Sequence, residues 1–210
     1  MEKNKSSCRN FNGIVPRLGI TGGIGSGKSV VCRVFQTLGI PVFNADDAAK
    51  WLMENDPVLV GKIKKLLGDD VYDNYRLNKA KVSSIVFTDK NKLQELNQIV
   101  HPATRLYAKK WFESQTAPYT IKEAALFFES GTDKDVDIML GVFAPEELRI
   151  SRTMNRSSLS REQVLAIISK QMDEQEKMKL CQFVITNDDH MAIIPQVLHI
   201  HNEIMAIIKN

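Results

Sequence analysis

The chain has 210 residues, 43% of them hydrophobic and 25% charged, the balance of a folded globule and not of a disordered or fibrous protein. A formal charge of +3 implies no nucleic-acid partner, and the scattered Cys8, Cys32 and Cys181 lack metal or redox spacing, as expected of reduced thiols in a cytoplasmic protein. No apolar run reaches the length of a membrane span, and the polar, basic first sixteen residues lack the apolar segment of a secretory signal.

Residues 1–16 read as a flexible N-terminal extension, with an edge strand near Ile14–Val15 as the alternative. Arg17–Thr21 is a short run ending in glycines, a strand signature. Lys28–Leu38 then carries Val30, Val31, Val34, Phe35 and Leu38 at helical spacing, closed by Gly39. Ile40–Phe43 predicts a second strand, and Ala45, Ala48, Ala49, Leu52 and Met53 a second helix. The stretch 57–115 is helix-rich: Val58–Leu67, Lys79–Phe87, Leu93–Val100 and a stripe from Ala103 to Trp111, with Pro102 expected to kink or end its helix. Thr120–Phe128 and Asp137–Phe143 read as central strands buried on both faces. Pro145 opens a helix, Ser160 with Gln163 resembles a capping box, Phe183–Thr186 is a last strand and Met191–Ile208 a terminal helix. Five strands alternating with helices predict an α/β fold with a parallel sheet covered on both faces. The core falls at 17–56, 116–150 and 180–210, and the excess length at 57–115 suggests an inserted acceptor-binding subdomain.

Between the first strand and the first long helix, Gly22-Gly23-Ile24-Gly25-Ser26-Gly27-Lys28-Ser29 fits G-x-x-x-x-G-K-[ST] at every fixed position. Its glycines allow successive N–H groups to point at phosphate oxygens, and the helix that continues through Val30 adds its positive end. Lys28 is expected to reach the β- and γ-phosphates, and Ser29 Oγ to bind Mg²⁺. ATP and Mg²⁺ are therefore the expected cofactors. Guanine-switch signatures are missing: no N-K-x-D follows, and every Asp lacks a Gly three residues on. Arg149, Arg152 and Arg156 share one side of a helix and run into the polar turn Arg156–Ser160. A mobile lid at about 150–179 follows, with Arg152 and Arg156 shielding the transferring phosphoryl group and Arg149 left without a role.

The run Leu18–Ser29 is similar to the opening of the dephospho-coenzyme A kinase family. Asn44-Ala45-Asp46 follows where that family has Asp-Ala-Asp, then His101-Pro102 with Arg105, Leu126-Phe127-Phe128-Glu129, Arg152, Arg156, Gln171, Lys177 and Ile185-Thr186-Asn187, all in the family's order. The resemblance implies the P-loop NTPase three-layer α/β/α fold with five parallel strands, a helical substrate-binding insertion and a lid. It also implies transfer of the ATP γ-phosphoryl group to the ribose 3′-hydroxyl of dephospho-coenzyme A. Asp46, after the second strand, is the candidate base that orients this hydroxyl, with helix capping and Asp47 as alternatives. His101, Arg105 and Glu129 are candidate acceptor-site residues, Glu129 in the manner of an acidic strand tip, and Asn187 a candidate adenine contact. Another P-loop kinase of a nucleoside, nucleotide or small alcohol, or a non-catalytic nucleotide-binding regulator, remain the alternatives to test.

Overall fold

Residues 15–209 are described by the computed structural model; the extension expected over 1–16 lies outside them save its last two residues. The first strand, β1 (Arg17–Thr21), is covered on both faces. Leu18 and Ile20 enter the main core. On the opposite face a Cβ on Gly19 would stand 2.6 Å from Met139 Sδ, so a larger residue there would have to displace that side chain.

Helix α1 (Lys28–Thr37) buries Val31, Cys32 and Phe35, and the chain reverses at Gly39 with φ +80°, a conformation costly for other residues. There follow β2 (Val42–Asn44), α2 (Ala45–Asn55) and α3 (Pro57–Leu67). Asp56 caps α3 through the N–H groups of Val58 and Leu59, with proline at the first helical position, where its missing N–H costs nothing. A short hairpin, β3 (Tyr72–Asp73) and β4 (Arg76–Leu77), turns through Asn74 and Tyr75, both at positive φ. Then come α4 (Lys79–Thr88) and α5 (Lys90–Glu113).

The remaining elements are β5 (Thr120–Glu123), β6 (Ile138–Phe143), α6 (Glu146–Arg156), α7 (Arg161–Ile168), α8 (Glu174–Lys179), β7 (Phe183–Thr186) and α9 (Ile193–Lys209). The capping box expected at Ser160 and Gln163 is present.

The main sheet has five strands in the order β2-β5-β1-β6-β7, with parallel ladders between β1 and β5, β1 and β6, and β6 and β7. The expected α/β fold with a five-stranded parallel sheet is therefore what forms. Because β1 is central and its two neighbours come much later in the chain, the loop leaving its carboxyl end emerges at mid-sheet, where open α/β sheets bind ligands.

Two compact units divide the chain: Met1–Phe43 with Gln115–Asn210, and Asn44–Ser114. The second begins at Asn44, not near 57, because Leu52 of α2 joins Leu59, Ile63, Leu96 and Val100 in that unit's own core. Two other expectations change. Pro102 does not end its helix: α5 runs unbroken from Lys90 to Glu113. Gln98, whose carbonyl loses its N–H donor, lies on the exposed side, where water is within reach, while Leu96, Val100 and Phe112 hold the other side in place. The strand expected over Thr120–Phe128 stops at Glu123. Beyond it Phe127 turns into a separate cluster with Val136 and Met139, and the backbone closes tight turns through Ser130, Gly131 and Thr132. Apolar character alone cannot separate a buried strand from a buried turn.

Candidate active site

The loop after β1 owes its path to glycines at positive φ: Gly22 (+148°), Gly25 (+76°) and Gly27 (+96°). At Gly22 an added Cβ would lie 2.4 Å from the Val142 carbonyl oxygen, and at Gly27 2.1 Å from Asn187 Nδ2. Both space and conformation exclude a side chain at these two positions. Ser26 N–H donates to the Gly23 carbonyl at 3.2 Å, and α1 starts at Lys28. The result is a curled backbone leading into a helix N-terminus, an anion-binding nest.

Lys28 bends back over this loop, donating to the carbonyls of Gly22 (2.8 Å) and Gly23 (3.1 Å). Burial lowers the pKa of its ammonium below the ordinary lysine value, while the charges of Glu123 and Glu174 oppose that shift. Glu123 closes β5, so the acidic strand tip belongs to it and not to Glu129. Glu123 also helps raise the buried Cys32 thiol, whose pKa burial has already pushed up; that cysteine is an inert core group.

Glu129 has a different task. One of its oxygens accepts from Met172 N–H at 2.8 Å and from the fully buried Lys177 Nζ at 3.0 Å. Burial alone would raise its carboxyl, but the hydrogen bonds from Met172 and Lys177 outweigh this and hold it below the ordinary value. Lys177 also donates to the Ala125 carbonyl at 3.1 Å. The turn after β5 is thus tied to α8, and Glu129 positions the segment before α8.

On the other side of the loop, Asn187 Nδ2 donates to the Ser26 carbonyl at 2.7 Å. Arg152 reaches the Asn187 carbonyl (3.0 Å), its Oδ1 (3.2 Å) and the Asp189 carboxylate. Both ends of the Asn187 amide are engaged, so it braces the loop. Arg156, in the last turn of α6, is exposed and makes no hydrogen bond or ion pair among the described residues.

Arg149, given no role from sequence, is only 4% exposed. A Cβ on Gly23 would lie 2.1 Å from its Nη1, and one on Gly25 2.3 Å from its carbonyl oxygen. Glu174 accepts the Gly23 N–H with both oxygens, at 3.1 and 3.0 Å, and Gln171 Oε1 accepts that of Ile24 at 3.0 Å. Sequence reading missed Arg149, Glu174 and Glu123 at the loop; the helical spacing of Arg149 with Arg152 was the one available signal.

In the helical unit, Asn44 caps α2 by accepting from Asp47 N–H at 2.9 Å. Capping therefore falls to Asn44, which leaves Asp46 out of that duty. Asp47 pairs with Lys50 at 3.1 Å, whereas Asp46 is exposed and no described group engages it. His101 and Arg105, one turn apart on α5, line a shallow groove of about 510 Å³.

A glycine-built phosphate nest at the carboxyl edge of a central parallel strand, with a lysine folded over its mouth and arginines on α6, defines a P-loop phosphotransferase. The dephospho-CoA kinase family model matches residues 17–192. A dephospho-CoA kinase of Bacteroides fragilis is 36% identical over 88% of this chain and 90% of its own length. That of Porphyromonas gingivalis is 35% identical over 87% and 91%. Among solved structures, a Thermus thermophilus protein superposes with a TM-score of 0.79 at 33% identity, covering 91% of this chain and 97% of its own. Dephospho-CoA kinase from Campylobacter jejuni gives 0.67 at 25% identity, over 90% and 97%. The chain belongs to the dephospho-CoA kinase family.

Proposed function

We propose that this protein transfers the γ-phosphoryl group of ATP to the 3′-hydroxyl of the ribose of dephospho-coenzyme A, giving coenzyme A and ADP. The observation that carries the reading is the complete phosphate nest with Lys28 poised over it, in a chain whose family match runs from that nest to residue 192. Most of the catalysis such a reaction needs is positioning and charge stabilisation.

The residues divide the work. Backbone amides from Gly22 to Val30 cradle the phosphates, and Lys28 moves from the loop carbonyls onto the β- and γ-oxygens. A divalent ion suits the place: the exposed Ser29 hydroxyl stands beside Lys28, on which the Glu123 carboxylate acts. Such an oxygen-only donor set with few protein ligands fits Mg²⁺. Bound there, Mg²⁺ would neutralise charge on the β- and γ-phosphates. Arg152 and Arg156 lie on α6, Arg152 near the loop through Asn187 and Arg156 free to meet a ligand. On the acceptor side Asp46 accepts the ribose hydroxyl proton and aims the oxygen for in-line attack, while His101 and Arg105 receive other parts of the acceptor. Such work suits the cytoplasm, and no described helix is long and apolar enough to cross a membrane.

The test is to incubate the protein with Mg·ATP and dephospho-coenzyme A, adenylate or shikimate, and follow ADP release. Rapid release with dephospho-coenzyme A alone supports the proposal. Release with another acceptor only, or none despite tight ATP binding, overturns it.

A further inference from the structure

Glu174 is a carboxylate only 8% exposed, and although its charge acts on Lys28, no described cation hydrogen-bonds to it. Its ion pair with Arg149 is long, Nη1 to Oε2 3.7 Å, while its hydrogen bonds go to the Gly23 N–H. A buried charge persists where dipoles or opposite charges replace its lost water, and here the dipole is that of an anion nest. Gly23 is also the residue whose carbonyl holds Lys28 Nζ. Lysine at that place in a P-loop serves the β- and γ-phosphates, so Glu174 stands at the terminal-phosphate end of the nest.

Two further observations fit an arrangement that a ligand completes. Arg149 Nε and Ser26 Oγ are buried and have no hydrogen-bond partner among the described residues, and unsatisfied buried donors are costly. Beside Arg149 opens a cavity of about 530 Å³, lined in part by Phe143, Glu146, Gln171 and Glu174. The segment carrying Glu174 has its own anchors, since Glu129 holds both Met172 and Lys177.

We propose that Glu174 is an internal stand-in for the terminal phosphate of the nucleotide, and that ATP displaces it and takes over Arg149 as a phosphate-binding cation. The proposal rests on nucleotide binding at this loop and deepens that reading. The displaced carboxylate turns into the adjoining cavity while Glu129 keeps its segment attached. Arg149 keeps its long contact with Glu146 (3.9 Å) and exchanges Glu174 for phosphate oxygens, which its planar fork can grip through more than one N–H. ADP, one phosphate shorter, does not reach Glu174.

Calorimetry with Mg·ATP and Mg·ADP on the whole protein separates the possibilities. Glu174→Gln keeps the shape and removes the charge; Glu174→Ala removes the side chain, with thermal unfolding to verify folding. Both variants should bind Mg·ATP about tenfold more tightly than wild type, with Mg·ADP changed by less than about threefold. Unchanged ATP affinity in folded variants, or equal gains for ADP, would overturn the proposal. Arg149→Gln should lower turnover about a hundredfold both alone and combined with Glu174→Gln. If it is silent in the double variant, Arg149 is only a partner of Glu174 and the phosphate role is lost. Should wild type and variants alike bind no nucleotide, the fault lies with the phosphate nest itself and the function proposed above falls too.

Discussion

Around the phosphate loop the charged groups, Arg156 apart, find partners inside the protein, whereas the candidate acceptor groups of the helical unit stand in solvent with none among the described residues. Lys28 rests on two loop carbonyls, Lys177 on Glu129, Arg152 on Asn187 and Asp189, and Glu174 on Gly23. Asp46, His101 and Arg105 are exposed and unengaged among the described residues. The difference follows from what each region must do before substrate arrives. A nest that stabilises charge in the transition state has to be oriented in advance, because reorientation during reaction would consume the benefit. Groups that capture a flexible acceptor lose little by waiting in water, since an exposed charge is already solvated.

If that contrast is right, damage should differ in kind between the two regions. The largest effect is expected at the nest. Lys28→Ala should lower kcat about a thousandfold, as loss of a preorganised cation does, with only a modest loss in thermal unfolding, since its hydrogen bonds go to carbonyls and Glu123 and Glu174 act on it only as nearby charges. A variant that keeps a tenth of the activity would remove Lys28 from the chemistry. Lys177→Met should act on folding instead: stranding Glu129 without its buried partner is expected to cost about 3 kcal/mol of stability, read from denaturant melts. A melt like that of wild type would mean that water replaces the ammonium.

In the helical unit folding should be untouched. Asp46→Asn should reduce kcat about a hundredfold with ATP affinity unchanged, while Asp47→Asn, already paired with Lys50, should be near wild type. Reversal of those two results would hand the role to Asp47. Arg105→Ala is expected to raise KM for the acceptor about tenfold, the worth of one charge-assisted hydrogen bond, with kcat and ATP binding intact. An equal loss with ATP would show that the two regions do not divide the substrates.

The same contrast explains what could be read in advance. The phosphate loop is a local pattern in which each glycine answers a backbone demand, so Gly22–Ser29 was legible, as were the five strands and the capping box at Ser160. Four features depended on contacts that periodicity does not carry. Glu174 meets Gly23 across 151 positions, and no window of sequence joins them. Glu123 lost its place to Glu129 because the apolar run Ala124–Phe128 imitates a strand, although Phe127 serves a different cluster. The assignment of α2 to the helical unit turns on Leu52 packing with residues from α3 and α5. Pro102 was expected to kink or end its helix, and α5 continues through it with Gln98, whose carbonyl loses its donor, on the exposed side.

The smallest expected effect concerns pH, and it tests whether Glu129 belongs with the engaged groups. Its folded-state pKa lies below the ordinary carboxylate value because Met172 N–H and Lys177 outweigh burial. Below that folded value the folded and unfolded chains both carry the proton, so the group contributes nothing. Above the unfolded value of about 4.3 the folded chain alone enjoys the bonded carboxylate, and the full contribution is present. The stability gap between wild type and Glu129→Gln should therefore be constant near neutrality and shrink as pH falls through the carboxylate range. Thermal melts of both proteins between about pH 3 and pH 7 measure it. A gap that stays the same down to the acid end would mean that shape, not charge, holds Lys177, and Glu129 would then resemble a packing residue more than the charged anchor described for the nest.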